Sequence, residues 1–145
     1  GEQMMKNSKW VSILFIIFLF STSHAFADVG QRAVKIIKPL HNAVLSNPVE
    51  ICMEAYGLEV EPAENGVNEG KGHHHLMVDM YAPDNPEMPL PLKKDSQFIH
   101  LSDGSACTKM ILPTGRHFIR TLFAKGNHIP HHPLISDTII IYIKK

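Results

Sequence analysis

Histidine is the most concentrated chemistry-bearing residue of this sequence. Of its ten histidines, all but His24 follow residue 27, and most of them are clustered. A Gly-His-His-His run begins at Gly72, and a second cluster, Asn-His-Ile-Pro-His-His-Pro, occupies residues 127–133. Imidazole nitrogens are common ligands of copper, zinc and nickel. Histidines that converge from separate segments can therefore hold a transition-metal ion.

The histidine triplet becomes specific if it lies on a β-strand. Side chains of a strand alternate between faces, so His73 and His75 point to one side and His74 to the other. Cα atoms two residues apart on a strand are about 6.5–7 Å apart, which lets two imidazoles converge on one ion. The predicted metal ligands are His73, His75, His100, His117, His128 and His131. The predicted supporting residues or alternative ligands are His74, His132, Met77 and Asp79.

The apolar pattern assigns faces to two of these strands. Leu76 and Val78 share the parity of His74, so His74 is expected at the edge of the core. His73 and His75 should then face outwards or into a cleft covered by a loop. His117 is expected to point inwards, because the neighbouring arginines of its strand prefer water. A purely structural, hydrogen-bonded role for His74 and His117 is the alternative.

The ligand types favour copper, with zinc as the alternative. An all-imidazole site suits Cu(II), Zn or Ni, and a nearby thioether such as that of Met77 shifts the preference towards Cu(I). A catalytic zinc site usually keeps an open position and places an acidic residue near it. Asp79 has the parity of His75 but lies four residues further along the strand.

Short β-rich runs separated by Pro, Gly and Asn predict an all-β domain. The predicted strands are residues 34–38, 49–56, 73–81, 97–101, 106–112, 116–124 and 138–144. About seven such strands in a chain of this length favour an immunoglobulin- or cupredoxin-like β-sandwich. Two long loops, residues 59–72 and 82–96, flank the histidine-rich strand, and loops of this length are often functional.

The N-terminal segment has the pattern of a cleavable signal peptide. Lys6 and Lys9 precede an apolar run at residues 11–20, and Ala25 and Ala27 occupy the −3 and −1 positions. The run is about ten residues long, half of what a membrane-spanning helix needs. The predicted domains are a helical signal peptide at residues 1–27, with a short remnant at its start, and a His-rich β-sandwich at residues 28–145.

Composition narrows the functional class further. Lys and Arg total 14, as do Asp and Glu, so no basic face for nucleic acid is predicted. The two cysteines, Cys52 and Cys107, are expected to form a disulfide after export, and free thiols that bind a soft metal are the alternative.

Four motifs together resemble a known family. They are GHHHLMVD from Gly72, IHL around His100, LPTGRHFIRTLFA around His117, and NHIPHHPLISDTIIIYI from Asn127. The combination is similar to domain of unknown function 4399, a family of small exported bacterial proteins, over residues 34–143. The resemblance implies a compact periplasmic β-sandwich. The histidines that it maps onto the family's motifs are His73, His74, His75, His100, His117, His128 and His131.

This chain departs from the family's pattern in two turns. After His100 it reads Leu-Ser-Asp-Gly-Ser-Ala-Cys, where the family tends towards Phe-Gly-x-Gly-Gln-Thr. Before His128 it reads Ala-Lys-Gly-Asn, where an Asp is usual. We therefore infer no ligand-supporting role for these two turns. Cys107 indicates instead that a disulfide holds the chain locally.

The resulting hypothesis is a periplasmic or secreted copper-binding protein that buffers or delivers the metal. Its expected partners are the ion and a periplasmic metalloprotein or transporter, with membrane contact only through an uncleaved leader. No enzymatic activity is predicted. The alternatives are a non-catalytic envelope or interaction domain with structural histidines, and a small copper enzyme.

Overall fold

The structure is a computed structural model that describes residues 30–85, 87–90 and 97–145. The predicted signal peptide and its cleavage position lie outside these residues, as does part of the proline-rich loop. Within the described residues, no helix combines the length and the apolar character needed to cross a membrane.

The described residues form nine β-strands and one short 3-10 turn. In chain order the strands are β1 (Ala33–Lys38), β2 (Ala43–Leu45), β3 (Val49–Tyr56), β4 (Glu59–Val60), β5 (Lys71–Val78), β6 (Phe98–His100), β7 (Cys107–Met110), β8 (Gly115–Ala124) and β9 (Ser136–Ile143). The smaller sheet has the order β1-β3-β7. The larger sheet has the order β2-β9-β8-β5-β4, and β6 also pairs with β5.

The predicted all-β sandwich is confirmed, and each of the seven predicted strands is present. Two strands were missed, β2 and β4, and both are too short to show alternation. The segment 59–72 was predicted to be a loop, which is wrong at both ends. Glu59 and Val60 pair in parallel with Lys71 and Gly72, so this segment returns to the sheet beside the histidine-rich strand.

The core fills the space between the two sheets. Ile51 and Met53 of the smaller sheet pack against a layer from the larger sheet that includes Leu76, Ile119 and Ile141. These five side chains are 0–2% exposed. Full burial of such a side chain contributes roughly 1.5–3 kcal/mol. This layer fixes one face of β5 and β8, and thereby decides which residues lie on the opposite face.

The predicted disulfide is confirmed. Cys52 and Cys107 are directly paired across β3 and β7 and are bonded. Their separation of 55 residues closes a long loop, for which chain entropy alone gives roughly 4 kcal/mol of stabilisation. Because both thiols are used in this bond, the alternative of cysteine ligands for a soft metal is excluded.

Candidate metal site

Strand β5 presents two histidines on the face that points away from the core. His73 and His75 are 0% and 1% exposed, so this face is covered and not open to solvent. His74 lies on the core side, with its ring edge-on to Phe123 at 5.2 Å. The predicted division of faces is therefore confirmed, and the cleft covered by a loop is the correct alternative for His73 and His75.

Gly72 sets the position at which the histidine triplet begins. A Cβ atom at Gly72 would lie 2.1 Å from the carbonyl oxygen of Ala124 in β8, a contact that no side chain can make. Only glycine therefore lets β5 approach β8 at this point. The next residue, His73, pairs directly with Ala124, so the close approach fixes the register of the site.

Strand β6 supplies the third histidine. His100 lies directly opposite His75 in the antiparallel pair, and directly opposed residues share a face of the sheet. The rings of His75 and His100 are stacked, with centroids 4.5 Å apart. The ring of His73 lies 5.2 Å from that of His100. The pairing of β5 with β6 therefore brings together three imidazoles.

The fourth histidine comes from the turn after β8. His128 donates its N–H to the Lys125 carbonyl at 2.8 Å, and the Lys125 N–H bonds the Ile129 carbonyl at 3.0 Å. This tight turn holds His128 at a φ of 66°. A residue with a side chain is strained there by roughly 1–2 kcal/mol, and such strain often occurs at functional sites.

Two contacts hold this strained turn over the site. A Cβ atom at Gly126 would lie 2.0 Å from the Gly66 carbonyl oxygen, so glycine lets the turn lie directly against the 59–72 segment. On the other side, the Leu90 N–H donates to the His128 carbonyl at 2.8 Å. The two long segments that flank β5 in sequence thus both support the fourth histidine.

The four imidazoles have the geometry of a metal site. One ligand nitrogen from each of His73, His75, His100 and His128 lies within 4.8 Å of the other three. Nε2 of His73 and Nε2 of His100 are 3.1 Å apart. Metal–nitrogen bonds of about 2.0–2.1 Å place two ligands of a tetrahedral ion about 3.3 Å apart. The site is therefore close to the size that one ion requires.

Several ring nitrogens of His73, His75 and His128 lack the partners that buried polar atoms normally have. Neither nitrogen of His75 makes a well-formed hydrogen bond, and Nδ1 of His73 and Nε2 of His128 are likewise buried without a partner. Most buried polar side-chain atoms are hydrogen-bonded, because leaving one unpaired costs about 1–3 kcal/mol. An ion bound at the centre of the cluster would satisfy these nitrogens.

Burial keeps the two strand histidines in the neutral form. It lowers the pKa of His73 to about 4 and that of His75 to about 2, and the neighbouring imidazoles add to both shifts. The backbone of Leu122 opposes the lowering at His75 only in part. Neutral imidazole is the form that binds metal, so these residues are ready to coordinate an ion over a wide pH range.

The walls of the site are apolar. Ala124 and Leu122 of β8 lie directly opposite His73 and His75. The ring of Phe98 is 5.8 Å from that of His75. Leu90 packs into the same apolar cluster and is 2% exposed. These wall residues were not predicted from the sequence, although parity along β8 and the prolines beside Leu90 were available signals.

His117 is not part of this cluster, although it was predicted as a ligand. Its Nδ1 is 2.7 Å from a carboxylate oxygen of Asp79, and its Nε2 is 2.7 Å from the Pro113 carbonyl oxygen. His117 lies near the start of β8, whereas Ala124, at the other end, pairs with His73. Seven residues of strand separate these positions by about 20 Å. His117 faces inwards and is buried, as predicted, but it forms a structural hydrogen-bonded pair with Asp79.

Burial and hydrogen bonding act in opposite directions on His117. Burial lowers its pKa, but the hydrogen bond with Asp79, the Pro113 carbonyl and the charge of Asp79 outweigh it, so the pKa is raised overall. Both ring nitrogens face acceptors, and only the protonated ring can donate to both. Asp79, predicted as an alternative metal ligand, is therefore used as the partner of His117.

His131 also lies apart from the cluster, although it was predicted as a ligand. Its ring stacks on Phe123 at a centroid distance of 5.6 Å, and Phe123 belongs to the core side of β8. The chain turns between His128 and His131, so the two rings lie on opposite sides of the larger sheet. Burial is the main cause that lowers the pKa of His131.

The remaining predicted residues occupy different environments. His74 is buried on the core side, where burial lowers its pKa to about 4 and neither ring nitrogen has a partner. His132 is exposed. Met77 shares the face of His75 and is 1% exposed within the apolar wall. The structure thus brings together four of the six predicted ligands and places Met77 beside them.

The fold and the site define a small β-sandwich with a four-histidine cluster, two of whose members are buried and two half-buried. The chain belongs to the family described as domain of unknown function 4399 (DUF4399), which it matches over residues 38–144. The resemblance seen in the motifs is therefore confirmed. Comparisons with curated proteins and with solved structures give no significant match.

Proposed function

We propose that this protein binds a transition-metal ion, copper before zinc, through His73, His75, His100 and His128. The observation that carries the proposal is the convergence of four imidazoles, two buried and two half-buried, on a space the size of one ion, together with the buried nitrogens of His73, His75 and His128 that have no partner. Three separate chain segments supply these rings. Packing alone gives no reason to bring four imidazoles together around buried nitrogens that have no partner.

The ligand set supports copper as the first choice. Imidazole sites suit copper, zinc and nickel, and copper binds such sites most tightly among the divalent ions of this series. Four protein ligands also fill a tetrahedral coordination sphere, whereas catalytic zinc sites keep a position open for water or substrate. This supports buffering or delivery of the metal over catalysis.

A location outside the cytoplasm is part of the proposal. The signal-peptide pattern at residues 1–27 supports export. The Cys52–Cys107 disulfide agrees with an oxidising compartment, because cytosolic proteins seldom keep structural disulfides. In the periplasm, the partner of such a protein would be a metalloprotein or transporter that exchanges the same ion.

Equilibrium dialysis followed by metal analysis tests the proposal. We expect the purified domain to retain about one equivalent of copper, and the His73→Ala/His75→Ala double variant to retain less than about 0.2 equivalents. Two single variants at neighbouring histidines, one inside the cluster and one outside it, form a matched pair. His128→Ala should weaken binding strongly, whereas His132→Ala should not, because His132 is exposed and outside the cluster. Copper retention that is equal in all four proteins would contradict the proposal.

A further inference from the structure

The charge balance of the site bears on the oxidation state of its metal. The four ligands are neutral imidazoles, and no carboxylate or thiolate of the described residues joins the group. A divalent ion bound there would keep a charge of +2, whereas Cu(I) would keep a charge of +1. Among the described residues, the metal-binding group contains no negative charge that would offset either one.

The surroundings make this charge difference important. The walls are the apolar side chains of Leu90, Phe98, Leu122 and Ala124, all of which are buried. The free energy needed to move an ion from water into an apolar environment grows with the square of its charge in the Born description. Such a wall therefore opposes a divalent ion about four times as strongly as a monovalent one.

A charged residue of β8 on this face of the sheet adds to the effect. Arg120 lies directly opposite Met77 in the β5–β8 pairing. On this face of the sheet, the Met77–Arg120 pair comes next after the pair that contains His75. Its Nε is buried and has no hydrogen-bond partner. A guanidinium is always protonated in proteins, so this neighbour repels a bound cation, and repels a divalent one twice as strongly.

We infer that this site selects monovalent copper, Cu(I), over Cu(II) and over Zn(II). The inference rests on the proposed function and specifies its cargo. The higher charge of the divalent ions disfavours them in these apolar surroundings. The protein would then carry copper in its reduced form through an oxidising compartment, beside the buried side chain of Leu90.

Two measurements on the wild-type domain test the inference. Anaerobic competition with a chromophoric chelator gives the dissociation constant for Cu(I), and a dye competition gives that for Zn(II). We expect Cu(I) to bind at least about a hundredfold more tightly than Zn(II). A redox titration should place the potential of bound copper above that of the aqueous couple by at least about 120 mV, since a tenfold preference corresponds to about 59 mV.

A charge-matched pair of variants isolates the cause. Leu90→Glu places a carboxylate in the wall, and Leu90→Gln is its neutral counterpart of similar size. We expect the ratio of Cu(I) to Zn(II) affinity to fall about tenfold more in the Glu variant than in the Gln variant, which is about 1.4 kcal/mol. The wild-type measurements do not depend on either variant folding.

The outcomes separate the inference from the proposed function. Tighter binding of Cu(I) with a raised potential supports both. Equal or tighter binding of Zn(II), or a potential at or below that of the aqueous couple, overturns the selection of Cu(I) and leaves metal binding intact. Failure to retain copper in either oxidation state, and zinc as well, overturns both.

Discussion

Acidification of the metal-free protein gives the most quantitative test of the buried histidines. The pKa values of His73 and His74 fall to about 4 and that of His75 to about 2, from an ordinary value of 6.5. For a base with a lowered folded-state pKa, the unfolded chain binds more protons than the folded one. Stability is therefore complete above about pH 6.5 and is lost as the pH falls below that value.

The size of this loss follows from linkage. At pH values between its folded-state and unfolded-state pKa, each histidine changes the folding equilibrium about tenfold per pH unit. The three together therefore contribute roughly 4 kcal/mol per pH unit. Integrated from about pH 8 to about pH 5, the loss is roughly 6 kcal/mol. A small domain has a total stability of roughly 5–15 kcal/mol, so much of it should be gone at pH 5.

Urea denaturation of the chelator-treated protein at a series of pH values measures this loss. The matched control is His74→Leu, which changes a buried residue of the triplet that lies outside the four-histidine cluster. Its loss between pH 8 and pH 5 should be about one third smaller than that of the wild type, roughly 4 in place of 6 kcal/mol. A wild-type loss below about 2 kcal/mol, or an unchanged loss in His74→Leu, would refute the reasoning.

Three further predictions address the elements that position the site. Gly72→Ala should lower copper affinity at least about tenfold, because its Cβ would clash with β8, whereas Gly30→Ala has open space and should bind normally. His128→Asn and His128→Ala should both lose copper affinity, but the Asn variant should be more stable by roughly 1 kcal/mol, because Asn tolerates positive φ; equal stabilities would contradict the strain at this turn. The pKa of His117, followed by NMR, should lie above its ordinary value and fall in Asp79→Asn; an unchanged pKa would show that Asp79 does not hold the proton there.

Sequence periodicity predicted the parts of the fold that obey strand alternation. The triplet around His74 splits between two faces as expected, because Leu76 and Val78 anchor one parity in the core. Strands β2 and β4 were not predicted, since two or three residues show no alternation. Pairing with β9 and β5 creates them, and such pairing depends on the whole fold.

The candidate site was predictable where neighbouring strands determine it. His100 was included because it lies in a short strand, and pairing with His75 confirms its place in the cluster. His117 and His131 carry equally suggestive motifs but lie elsewhere. The sequence places His117 at the start of its strand, but it does not show that the opposite end of that strand pairs with His73, nor that the turn after His128 sends His131 to the other side.

X-ray absorption spectroscopy of the copper-loaded domain tests the central claim most directly. The account predicts four nitrogen ligands at about 2.0–2.1 Å with the outer-shell scattering of imidazole, and loss of that pattern in the His73→Ala/His75→Ala variant. A first shell dominated by oxygen or sulfur, or the same spectrum in the double variant, would contradict a four-histidine metal site.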